Sequence, residues 1–120
     1  MIAAEDDLCA MRKVQAIIRE ERLEAVVERL LLIGISGLTV SPAKGSGAGE
    51  RVAFFRGGSY PVPFVSKVLV EWYGPDDEVD GVVRAIARAA STGAAGDGRI
   101  FVGDVEVAFG IRTGEPTSDL

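Results

Sequence analysis

Histidine is absent from this 120-residue chain, and with it go the commonest general acid–base group and the commonest nitrogen ligand for metals. A histidine-dependent triad is excluded, and no serine sits in a G-x-S-x-G elbow. Cysteine occurs once, at Cys9, so no intramolecular disulfide can form and no CxxC or Cys/His cluster suggests structural zinc. A reducing, cytoplasmic setting is expected. No run of about twenty apolar residues exists, and the opening MIAAEDDLCA places Glu5, Asp6 and Asp7 where a signal peptide needs positive charge. Neither secretion nor membrane insertion is expected. Positive charge is also scarce: 13 Lys and Arg stand against 18 Asp and Glu, a formal net charge of −5. Without a global positive field, nucleic acid is not an expected partner.

Hydrophobic residues make up 48% of the chain, enough for one core and too short a chain for two ordinary domains. Residues 1–10 read as an acidic extension ahead of an ordered domain over 11–115, with 116–120 as a tail. Val14, Ala16 and Ile18 alternate as in a half-buried strand. From Arg22 the period lengthens, and Leu23, Val26, Val27, Leu30 and Leu31 form one helical stripe that Gly34 is placed to end in a left-handed cap. Leu38 to Ser41 predicts a second strand stopped by Pro42, before a glycine-rich stretch, KGSGAG, that is mobile or ligand-bound. Lys67 to Tyr73 alternates as a third strand. Asp76, Asp77 and Glu78 then offer a cap and acidic first turn to a helix carrying Val79, Val82, Val83, Ile86, Ala87 and Ala90, ended at Thr92-Gly93. Arg99 to Val102 predicts a fourth strand, and Val107 to Ile111 a short fifth. The charged run Arg19-Glu20-Glu21-Arg22 reads as a solvated helix start.

The order is βαββαβ: an α+β, ferredoxin-like split βαβ sandwich with two helices on one face of a four-stranded antiparallel sheet. Two helices cover one sheet face only. The apolar strands leave the other in need of a partner, so self-association is expected.

Chemistry concentrates in the segment TGAAGDGRIFV, Thr92 to Val102. Its glycines allow positive φ and close approach to a ligand, its amides can form an anion-binding nest, and Arg99 adds a cationic fork. Phosphate suits such a site; a helix-to-strand turn using glycine for geometry alone is the plainer reading. Lys44-Gly45-Ser46-Gly47-Ala48-Gly49 is a second glycine-rich loop, without the Gly-Lys-Ser/Thr ending of a P-loop, and a flexible loop with no ligand is its plainer reading. Arg112 lies near the end of the last predicted strand, where it can reach a phosphate or lie in solvent.

Together these segments resemble the PII signal-transduction (nitrogen regulatory P-II) family. TGAAGDGRIFV is similar to that family's TGxxGDGKIFV, IRTGE at Ile111 to Glu115 to its RIRTGE, and FRGGSY at Phe55 to Tyr60 to its YRGAEY. The resemblance implies a homotrimer with nucleotide sites for ATP, ADP or AMP in the clefts between subunits, magnesium being a candidate companion. By the match, Gly37, Leu38 and Thr39 hold the base side. Gly45, Ser46, Gly47, Gly96, Asp97, Gly98 and Arg99 cradle phosphates, and Arg112 reaches across from the adjacent subunit. Residues 47–64 correspond to the family's long effector loop, which docks on a regulated protein such as a transporter or metabolic enzyme. Lys67 matches the lysine that meets 2-oxoglutarate and is the candidate contact for a small anionic effector. Tyr60 falls at a tyrosine that some bacterial members carry uridylylated.

Three departures from the pattern carry consequences. Gly47 is followed by Ala48-Gly49-Glu50-Arg51, without the glutamine that helps hold magnesium and 2-oxoglutarate, which argues for a different anion such as bicarbonate. Gly110 replaces the first arginine of RIRTGE, and losing that contact is expected to weaken triphosphate binding by about 1.5–3 kcal/mol, to the advantage of ADP and AMP. Pro61 and Pro63 stiffen the surroundings of Tyr60. No catalytic residue is nominated. The rival readings are a slow phosphohydrolase using a divalent metal with Asp97 or Glu50, and a structural or metal-binding trimer on the same fold.

Overall fold

Val14, Ala16 and Ile18 occupy alternate positions of the first strand, β1 (Met11–Arg19), and in the computed structural model they form its buried face. The structure describes residues 10–46, 52–55, 58–61 and 64–118, the two short segments as backbone. Chain order continues through α1 (Leu23–Leu32), β2 (Leu38–Gly45), β3 (Val52–Phe55), β4 (Gly58–Pro61), β5 (Val65–Pro75), α2 (Val79–Ala90) and β6 (Gly98–Val105). Four strands form one antiparallel sheet in the order β2-β5-β1-β6. The register sets Val14 against Trp72, Ala16 against Val70 and Ile18 against Val68, so the buried faces of β1 and β5 coincide. Both helices pack there, α1 through Val26 and Leu30 and α2 through Val79, Val82, Ala85, Ile86 and Ala90. This is the ferredoxin-like sandwich that the periodicity predicts.

Gly34 ends α1 as its position suggests. At φ 88° it is left-handed; its N–H donates to Leu31 O at 3.0 Å and that of Ile35 to Leu30 O at 2.9 Å. Ile35 and Leu30 are both buried, which completes a Schellman motif with its hydrophobic contact.

Four local expectations fail, each for a physical reason. β2 runs through Pro42 to Gly45, because it is an edge strand with one partner, where a missing N–H interrupts little. Asp76 to Glu78 form a 3-10 turn with no side-chain cap on α2; Asp76 instead pairs with Arg12 at 3.1 Å. The fifth strand reduces to one bridge, Phe109 to Pro116, because the segment closes on itself through Gly110 N to Glu115 O (2.9 Å) and Gly114 N to Gly110 O (2.8 Å). Residues 47–64, read as loop throughout, contain the β3–β4 hairpin, a separate two-stranded sheet.

The sheet face away from the helices carries Ile17, Leu69 and Phe101, the last 51% exposed. Beside them Glu71 accepts from the Gln15 amide at 2.8 Å and the Tyr73 hydroxyl at 3.0 Å. A mixed apolar and hydrogen-bonded face of this kind suits contact with another protein surface. Among the described residues no helix is long and apolar enough to cross a membrane.

Candidate functional site

The end of the sheet where α2 hands over to β6 collects most of the residues that the sequence singles out. β6 starts at Gly98, opposite Ile18, and β2 ends at Gly45, opposite Val65. Between them lies a cleft of about 460 Å³, whose lining includes Gly45, Ser46, Lys67, Gly96, Arg99 and Phe101. Gly98 is dictated by close approach. Its φ is 111°, and a Cβ there would stand 1.8 Å from the Ile17 carbonyl oxygen, so no other residue fits without moving β1 from β6.

Asp97 organises the loop ahead of Gly98. Oδ1 accepts from Arg19 Nε at 2.9 Å and from the Thr92 hydroxyl, while Oδ2 accepts from the backbone N–H of Thr92 (2.8 Å) and of Gly93 (3.0 Å). These bonds, Thr92 first and Arg19 after, hold the carboxyl far below the usual carboxylate range. All four lone-pair positions are engaged, which keeps the negative charge turned into the loop and away from an incoming anion. The same engagement leaves Asp97 no oxygen for a cation.

Arg19 was not legible as part of this site. It donates Nη2 to the Ala95 carbonyl at 2.7 Å as well as pairing with Asp97, so the run Arg19 to Arg22 is not merely a solvated helix start. Arg22 also works structurally, donating to the Ala89 carbonyl near the end of α2 at 2.9 and 2.7 Å. One signal was available: Arg19 lies off the Val14, Ala16, Ile18 face and opposite Lys67, which puts both cations on the sheet face away from the helices. Lys67 is only 6% exposed and donates to the Gly96 carbonyl at 2.7 Å, so the candidate effector lysine is built into the same cleft.

The remaining candidates sit at the other end. Gly37 borders a depression with Trp72, Pro75 and Ser118, and Leu38 and Thr39 follow, opposite Trp72 and Glu71. The segment carrying Arg112 leaves β6 at Val105, opposite Met11, and Arg112 is exposed on the turn that Gly110 and Glu115 close. Along β2, the eight residues from Leu38 to Gly45 span about 23 Å. Within one chain the candidate residues therefore fall into two separate groups at opposite ends of the sheet. Gly47, Glu50 and Cys9 lie outside the described residues, as do the acidic extension before Ala10 and the last two residues of the tail; Tyr60 is described only as a backbone position in β4.

Comparison with known proteins gives a consistent result. Residues 11–115 match the family described as nitrogen regulatory protein P-II. The chain is 44% identical over 110 residues to the nitrogen regulatory protein P-II of Mesorhizobium japonicum, covering 91% of this chain and 98% of that one. It is 46% identical over 106 residues to nitrogen regulatory protein P-II 1 of Escherichia coli K12, covering 88% and 95%. Among solved structures, that of Arabidopsis thaliana PII bound to citrate superposes with a TM-score of 0.71 at 38% identity, covering 91% of this chain and 90% of that one.

Proposed function

The chain belongs to the nitrogen regulatory protein P-II family, and from that premise we propose that it is a regulator, not an enzyme. In this reading it assembles as a cytoplasmic homotrimer, binds adenine nucleotide between neighbouring subunits, and controls a partner protein through residues 47–64. The observation that carries the reading is the division of the candidate residues between opposite ends of the sheet. Gly45, Ser46 and Gly96 to Arg99 form a phosphate-suited end; Gly37, Leu38, Thr39 and Arg112 belong to the other. One ligand can use both sets only if one copy presents its first end to the second end of another, an arrangement that the proposed trimer provides as a closed head-to-tail ring.

The chemistry of the cleft supports phosphate as the guest. The loop around Gly96 can offer amides, and Arg99, which lines the same cleft, supplies a charge-assisted donor. Because Asp97 is fully engaged, a magnesium ion would be held chiefly by the nucleotide's own phosphates and water, a common habit of that cation. The same engagement weakens the phosphohydrolase alternative, which needs Asp97 as a metal ligand or base. The Arabidopsis thaliana PII structure is of a citrate-bound form, which agrees with an anion-accepting surface in that relative.

Calorimetric titration of ATP, ADP and AMP with magnesium, repeated with 2-oxoglutarate and with bicarbonate, tests the reading. Saturation near one nucleotide per chain is expected, and whichever anion tightens it is the second input. Absence of binding by any of the three at millimolar concentration refutes it.

A further inference from the structure

Two cations stand side by side beneath the loop that joins α2 to β6. Arg19 on β1 and Lys67 on β5 are register partners on the sheet face away from the helices. Arg19 Nη2 donates to the Ala95 carbonyl at 2.7 Å, Lys67 Nζ to the Gly96 carbonyl at 2.7 Å, and Arg19 Nε to Asp97 Oδ1 at 2.9 Å. Two successive carbonyls are thus drawn toward the sheet. In a trans peptide the N–H points opposite to the C=O, and the structure has no cis peptide among the described residues. Drawing the Ala95 and Gly96 carbonyls inward therefore turns the N–H groups of Gly96 and Asp97 outward. Positive φ at Gly96 (94°) and Gly98 (111°) gives the backbone the left-handed turns that an anion nest uses.

We propose that Arg19 is the positioning residue of the phosphate nest: its guanidinium, with Lys67 as second pin, aims the Gly96 and Asp97 amides at an anion that Arg19 itself does not touch. This rests on the nucleotide-binding reading above. The fork geometry matters as much as the charge, because one planar group holds a carbonyl and a carboxylate two residues apart. Lysine at this position keeps the charge and loses the fork.

The test uses the full chain carrying Arg19→Lys or Arg19→Met, with two readouts on each sample: amide hydrogen exchange of residues 92–98 without ligand, and calorimetric titration with ATP. Both variants are expected to lose protection at the Thr92 and Gly93 amides while the β1–β5 ladder stays protected. Both are expected to bind ATP at least about tenfold more weakly, because ATP must then order a loop that the charge-assisted contacts of Arg19 no longer hold. Unchanged exchange at Thr92 and Gly93 overturns the proposal whether or not ATP binds. Full affinity in Arg19→Lys with weak binding in Arg19→Met also overturns it, since Arg19 is then only a source of positive charge. Loosened loop amides in a protein whose parent binds no ATP uphold the loop pinning and refute the nucleotide reading instead.

Discussion

Asp97 accepts from Thr92 twice, from Gly93 and from Arg19, and its carboxyl is held well below the ordinary value of 3.8. A carboxylate depressed on folding contributes stability above its unfolded pKa and loses it only as pH falls through the folded value. The loop is therefore expected to stay latched from neutral pH down past pH 4. Amide chemical shifts of Thr92 and Gly93, followed by NMR from pH 7 to pH 3, should show no transition centred at pH 4 or above; one there contradicts the assignment. Gly98 makes a second prediction at this scale. Gly98→Ala combines a left-handed backbone with a clash against the Ile17 carbonyl, and should lower stability by at least about 1–3 kcal/mol in denaturant titration. A cost below 0.5 kcal/mol, as an ordinary surface change gives, contradicts that account.

Helices and central strands were legible where one physical rule acts alone. Leu30 and Val26 lie on the i, i+4 stripe that the sequence displays, and both are fully buried; Leu30→Ala should cost about 2–5 kcal/mol in the same titration. Gly34 was legible as a cap because it is the first glycine after the apolar stripe and takes positive φ, here 88°, without strain. Pro42 misled, because a rule about strand interiors was applied to a strand whose edge position only the sheet order reveals. The candidate site was readable through its glycines and its GDGR run, yet Arg19 was not. Its contribution depends on a contact between residues 78 apart in sequence, which local periodicity does not encode. Asp97 falls in the loop that the GDGR run marks, and its carboxylate oxygens face the loop itself, a set of contacts that residue type and spacing do not display.

For the whole molecule, the division of the candidate residues between two ends and the sheet face with Ile17, Leu69 and Phe101 make nucleotide binding and assembly a single problem on the proposed reading. Gly110 tunes it. Restoring an arginine there should favour ATP over AMP by about tenfold or more in competition titration, the worth of one charge-assisted contact. Equal effects on both nucleotides would show that the added side chain meets no terminal phosphate. A shared site also makes a demand that no single-chain site makes. Arg99→Ala and Arg112→Ala damage opposite ends, so each variant alone should bind ATP weakly. Unfolded together in equal amounts and refolded into mixed assemblies, they should recover tight binding at about a quarter of the sites, those pairing an intact Arg99 end with an intact Arg112 end. Calorimetry on that mixture is the most direct measurement of the central claim. Recovery of a tight fraction is the predicted result, and a mixture that binds no better than the two variants measured separately contradicts a site built from two copies.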